Sequence, residues 1–176
     1  YAHGLATLIG GLFQGNACTA SGCTGGGMVA SARLALTGTQ FLGNTAASGG
    51  TAKGGGIYLQ GSQAVMVVNA LFAGNAATAS GAAIYNYSTG AVTVLHTTIA
   101  SPTVGAVSAI YVQRGTLAIT NTIVASYTTG IEAASGITVT SDYNLFVSAP
   151  TSVVTGSHSL SGPQYLLFAD AAAGDY

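Results

Sequence analysis

Residues 54–75 read GGGIYLQGSQAVMVVNALFAGN, and this stretch decides the fold. A glycine run leads into Ile57-Tyr58-Leu59. A short turn follows, then an apolar segment that ends in Phe72-Ala73-Gly74-Asn75. Copies of the unit lie on either side. Residues 12–16 read LFQGN and residues 41–44 read FLGN, so the phenylalanines fall at 13, 41 and 72, spaced by 28 and 31. The motif then weakens: His96-Thr97-Thr98-Ile99 and Asn121-Thr122-Ile123-Val124 match Asn69-Ala70-Leu71-Phe72, at spacings of 27 and 25. A second landmark advances with the first. Gly27-Met28-Val29 is followed by Gly56-Ile57-Tyr58, Ala83-Ile84-Tyr85 and Ala109-Ile110-Tyr111, at spacings of 29, 27 and 26. Two landmarks moving together establish an internal repeat, which takes precedence over any local reading.

Each repeat carries strand signals. Ala64 to Phe72, AVTVLHTTI at 91–99 and TLAITNTIV at 116–124 are rich in β-branched residues and partly alternating. No stretch combines a 3.6-residue period with helix formers and caps, so βαβ units are excluded. The sequence has no Asn-Gly or Asp-Gly dipeptide to close two-residue hairpins. The remaining solution is an all-β solenoid: a single-stranded parallel β-helix of roughly six coils, about 25–30 residues each, stacked at about 4.8 Å per coil. The small-residue loops ACTASGCT, TAASGGTAK and AATASG follow the FxGN segments and are expected along one flank. All 176 residues are read as one domain.

The GGGIY and FxGN units resemble the right-handed parallel β-helix repeats of secreted bacterial proteins, including polymorphic outer-membrane-type passenger domains. SDYNLF at 141–146 and the segment 158–176 resemble the closing segments of large bacterial surface β-helix proteins. The resemblance implies a right-handed coil and an extracellular or cell-surface location. It also implies that such chains continue past the Gly-Asp-Tyr end, so 1–176 reads as a mature or trimmed piece of a larger surface protein.

Stacking converts the repeat into ladders. Ile57, Ile84 and Ile110 are expected as an inward aliphatic ladder. Alternation then turns Tyr58, Tyr85 and Tyr111 outward as an aromatic ladder and candidate contact stripe. Asn69, His96 and Asn121 share one position and are expected to form a polar ladder at a turn, bonding the neighbouring coil. Glycines 25–27, 49–50 and 54–56 suit tight corners. They are not a phosphate cradle, because no helix follows.

Composition narrows the function. Only seven residues are Asp, Glu, Lys or Arg, 4% of the chain, against roughly 25% in an average soluble domain. No basic patch exists to bind nucleic acid. No apolar run reaches the length of a membrane span. Cys18 and Cys23 are close enough in sequence for a loop disulfide, which fits an oxidising compartment. Asn86-Tyr87-Ser88 is a formal glycosylation sequon.

No catalytic, metal or cofactor motif is present, and the chain is read as not an enzyme. The acids are Glu132, Asp142, Asp170 and Asp175. Of these, Glu132 and Asp142 fall in adjacent coils, where a hydrolase carboxylate pair is geometrically conceivable. Lyase chemistry lacks an acidic cluster near Arg33, Lys53 or Arg114. His96 is read as structural, and His3 and His158 have no ligand partner at metal-binding spacing. The expected function is an extracellular structural subunit that self-associates head to tail, with open coil ends and almost no repelling charge. Expected partners are further copies or neighbouring surface proteins. The alternative is an adhesin or glycan-binding module, with a polysaccharide lyase or hydrolase third.

Overall fold

The computed structural model describes residues 5–162. The chain winds through strands in turns. The first turn holds β1 (Ala6–Ile9), β2 (Leu12–Gln14), β3 (Ala17–Cys18) and β4 (Met28–Ala30). The second holds β5 (Leu34–Thr37), β6 (Gln40–Leu42), β7 (Thr45–Ala46) and β8 (Ile57–Leu59). The third holds β9 (Val65–Val68), β10 (Leu71–Ala73), β11 (Ala76–Ala77) and β12 (Ile84–Asn86). The fourth has only β13 (Ala91–Leu95) and the long β14 (Thr98–Val112), and the fifth β15 (Thr116–Thr120) and β16 (Ile123–Ala133). Then come β17 (Thr138–Asp142), β18 (Leu145–Val147) and β19 (Leu160–Gly162).

Equivalent strands of successive turns pair in parallel. One face is a six-stranded sheet in the order β1-β5-β9-β13-β15-β17, one rung per turn. A second face runs β2-β6-β10-β14-β16-β18-β19, and the C-terminal parts of β14 and β16 also carry the face of β4, β8 and β12. The short strands β3, β7 and β11 form a small separate sheet on the flank where the small-residue loops collect. This is a β-solenoid of stacked parallel strands, without a helix among the described residues.

Register turns sequence repeats into columns. Phe13 pairs with Phe41, Phe41 with Phe72, Phe72 with Ile99, Ile99 with Val124, Val124 with Phe146 and Phe146 with Ser161. The offsets are 28, 31, 27, 25, 22 and 15 residues, so the turns shorten toward the C-terminus. The Phe13, Phe41 and Phe72 rings stack with centroids 4.8 and 4.7 Å apart. Ile57, Ile84 and Ile110 align and are fully buried, and Ile131 extends the column. Tyr127 is buried in the same core as Ile99 and Val124, and its hydroxyl donates to the Ala100 carbonyl at 3.2 Å.

The corners explain the turn residues. After each strand of the six-stranded sheet one residue adopts the left-handed region: Gly10, Gly38, Asn69, His96, Asn121 and Tyr143, with φ between 49 and 68°. L-residues pay for this conformation, glycine does not, and asparagine pays least among the others. Asn69, His96 and Asn121 are therefore a backbone column. Their side chains are exposed, and no hydrogen bond links them among the described residues. The expected polar ladder bonding the next coil is thus corrected. At that corner the backbone itself bridges turns, as Asn69 N–H donates to Leu95 O at 3.1 Å and His96 N–H to Thr120 O at 3.2 Å.

The inter-turn amides lie elsewhere, in the Asn of FxGN. Asn75 Oδ1 accepts from the backbone N–H and the side-chain Nδ2 of Asn44, both at 3.0 Å. Asn44 Oδ1 accepts in the same way from Asn16, and Asn44 and Asn75 donate to the carbonyls of Phe13 and Phe41. Asn44 and Asn75 are buried, so these bonds satisfy corner groups that water cannot reach. The glycine run has a second use besides turning. Gly54 has φ +68°, but Gly56 is needed for close approach, since a Cβ there would sit 2.6 Å from Ala83 O.

Candidate functional site

The face built by β4, β8, β12 and the ends of β14 and β16 brings together most of the chemistry this chain carries. Alternation sends Ile57, Ile84 and Ile110 into the core, and the next residue in each strand lies on the opposite side. That column reads Val29, Tyr58, Tyr85, Tyr111, Glu132. The three tyrosine rings stack with centroids 5.2 Å apart at both steps, within 10° of parallel. They are not a bare surface stripe. Tyr58 is 8% and Tyr85 1% exposed, and only Tyr111 is half-buried.

What covers them is the chain's scarce charge and its turns. The Lys53 ammonium, on the loop bridged to Thr24 and Ser80, lies 5.0 Å from the Tyr85 ring centroid. The Arg114 guanidinium lies 4.0 Å from the centre of Tyr87, and Tyr87 packs 6.2 Å from Tyr58. The Tyr85 hydroxyl donates to Gln113 Oε1 at 3.2 Å. Burial, then the neighbouring hydroxyls of Tyr111 and Tyr87, push the Tyr85 phenol up to about 12, with Arg114 acting the other way. Tyr85 is thus a neutral donor throughout the physiological range.

The sequon is not a modification site in the folded chain. Asn86 is 1% exposed. Its Nδ2 donates to Arg114 O at 3.1 Å and its Oδ1 accepts from Ser88 N–H at 2.9 Å, while Ser88 Oγ accepts from Gly90 N–H. The Asn-x-Ser pattern is a buried turn between β12 and β13.

The other predicted residues fall in different places. Cys18 and Cys23 are joined in a disulfide, packed with Ala46 and Ala52 beside the small sheet. The bond fits an oxidising compartment. Glu132 and Asp142 lie in different sheets, Glu132 beside Tyr111 and Asp142 beside Thr120. Asp142 is committed elsewhere. It accepts from the backbone N–H of Tyr143 and His158 and contacts His158 Nδ1 at 2.9 Å, and the Tyr143 and His158 rings stack at 4.4 Å. The hydrogen bond from His158, then those from the two backbone N–H groups, hold the Asp142 carboxyl below its usual range. His158, read as without a partner at metal-binding spacing, thus contacts a carboxylate 16 residues away in sequence. His3, Asp170, Asp175 and the residues of the closing segment past 162 lie outside the described residues.

No group of three or more His, Cys, Asp or Glu that would hold a metal occurs among the described residues. No described helix is long and apolar enough to cross a membrane. No family model, curated protein or solved structure matches the chain. The class therefore rests on geometry alone: a β-solenoid with a covered tyrosine ladder.

Proposed function

We propose that the protein is an extracellular, non-enzymatic structural subunit of the bacterial surface β-helix type, whose copies associate end to end into a filament or surface layer. The observation that carries this reading is the first turn. Strands β1 to β4 each end their run of paired strands among the described residues, so no described strand pairs with their outer side. Leu5, Ile9 and Leu12 are 72, 79 and 58% exposed there. Leu8, Phe13 and Met28, whose partners one turn on are buried, are only half-buried and line an opening of about 480 Å³. Residues 5–32 contain no charged side chain. An unpaired, apolar, uncharged edge is the arrangement that strand addition requires, and natural monomers protect such edges. Docking of this edge on the far end of another copy is a heterologous contact, which extends without closing.

Sedimentation velocity and negative-stain microscopy test the reading. The chain should form length-distributed particles as concentration rises. The double variant Ile9→Lys/Leu12→Lys should remain monomeric with an unchanged circular dichroism spectrum. Discrete monomers of the parent chain at high concentration would sink the proposal. Assembly that survives in the double variant would remove the first turn as the contact.

A further inference from the structure

The chain has three Lys or Arg residues in all, and two of them sit on the same aromatic cluster. Solubility alone does not demand that placement. We propose that Arg114 and Lys53 form a binding site for a carboxylate-bearing polysaccharide, a polyuronate held against the tyrosine face. The site is independent of end-to-end association.

Arg114 is exposed, and its guanidinium lies over Tyr87 at 4.0 Å. An arginine stacked on a ring has its plane fixed and keeps its N–H edges available for a two-pronged grip on a carboxylate. No acid among the described residues takes that grip, since the one ion pair there joins His158 and Asp142. The backbone beneath is rigid. Arg114 O accepts from the buried Asn86 amide, and the next residue, Gly115, has φ +67° and lies so close to Ser88 O that a Cβ would approach within 2.5 Å. The guanidinium is thus prepositioned, which lowers the entropy lost on binding.

Lys53 supplies the second charge. It lies over Tyr85, two positions before Tyr87 on the same chain segment. A ligand that engages both cations carries charge at more than one position, which favours a polymer of acids over a single carboxylate. The remaining polar groups select sugar over acidic peptide. Gln113 Oε1 is taken by Tyr85, leaving its amide N–H groups for a ligand oxygen. Glu132, at the end of the same column, can accept from the hydroxyls that a sugar carries and an acidic side chain lacks. Tyr58 and Tyr85 face one another rather than solvent, so charge and hydrogen bonding hold the ligand in place of a flat stacking platform.

Isothermal titration calorimetry with tetragalacturonate tests this at low salt, with uncharged galactotetraose and tetraglutamate as comparisons. Tetragalacturonate should bind, and both comparisons should bind at least ~10-fold more weakly. The affinity should fall as salt rises. Arg114→Ala should weaken binding ~10-fold or more, Arg114→Lys should restore only part of it because the fork is lost, and Lys53→Ala should cost less than Arg114→Ala. Thermal melts report whether each variant stays folded, and Thr37→Lys, on the six-stranded sheet away from Arg114, checks that added charge elsewhere does not mimic the site. No heat with tetragalacturonate at millimolar concentration would overturn the proposal. So would equal binding of tetraglutamate, or a folded Arg114→Ala variant with unchanged affinity. None of these outcomes depends on whether the chain assembles.

Discussion

In the first three turns the chain leaves each phenylalanine strand through a left-handed glycine and an asparagine, buried in the second and third turns, then runs out into a flank loop. In the fourth and fifth turns β14 and β16 run past that corner without a flank loop, Ser126 taking the left-handed position at φ +63°, and they pair with each other with register shifts between Ala100 and Gly105 and between Gly105 and Ser108. The interior changes with the path. Phe41 and Phe72 fill the looped turns, whereas Ile99 and Val124 occupy the same column in the loop-free ones, with Tyr127 beside them. A loop at the corner breaks the inter-turn ladder, and a buried side-chain amide must replace the lost backbone bonds. Where strands of adjacent turns pair without a flank loop, the neighbouring backbone meets these groups and no asparagine stands at the corner. Pro102, which has no N–H to satisfy, stands three residues after Ile99 where the earlier turns carry Asn16, Asn44 and Asn75.

The largest effect should come from emptying the aromatic column. Phe72→Ala should cost about 3–5 kcal/mol, and Val124→Ala about 2 kcal/mol, in urea unfolding. Equal costs would mean that the two halves are packed alike. Next is the amide ladder. Asn44→Ala removes bonds to both neighbouring turns and should cost about 2–3 kcal/mol, while Pro102→Ala should change stability little. A mild Asn44 variant would mean that the looped corners tolerate water.

Smaller still is the backbone column, which is shared by both halves. Gly38→Ala, at φ +59°, should cost about 1–2 kcal/mol. His96→Gly, at φ +49°, should gain up to about 1 kcal/mol, because the exposed ring makes no hydrogen bond that would be lost. The smallest effect is the exposed Asp142–His158 clasp at the short end. The folded Asp142 carboxyl titrates below its ordinary 3.8. Its contribution is therefore complete above the unfolded value and is lost as pH falls through the folded one. The stability difference between the parent chain and Asp142→Asn should shrink as pH falls below about 4. A difference that grows on acidification would reverse the assignment.

The strand pairing was legible because a repeat fixes register: the offsets of 28, 31, 27 and 25 between Phe13, Phe41, Phe72, Ile99 and Val124 are the same in sequence and in space. The side of each strand was legible for Ile57 and Tyr58 for the same reason. What lies over Tyr58 and Tyr85 was not, since alternation gives direction but says nothing of a neighbouring turn that folds back. Lys53, Tyr87 and Gln113 come from three different turns, and no local pattern joins them. The column of Asn69, His96 and Asn121 was visible but misread. Its earlier members, Gly10 and Gly38, have no side chain and already pointed to a backbone requirement. The Asn ladder carried a signal too, as the one polar residue kept at a fixed distance after Phe in three turns. The partnership of Asp142 with His158 left none, because the positions paired with Asp142 in earlier turns, Thr120 and Leu95, are not acids.

The shortening of the turns bears on how such a chain changes length. Turns two and three present nearly identical upper and lower faces, Phe over Phe, Asn over Asn, Ile-Tyr over Ile-Tyr. A gene segment encoding one of them, copied in tandem by unequal recombination, would drop into the stack without a mismatch at either junction. The last turns allow no such copying, because offsets of 22 and 15 residues fit only their immediate neighbours. Copy number is therefore free to drift at one end of the molecule and fixed at the other, so relatives of different length should differ in their looped turns and agree in their final ones.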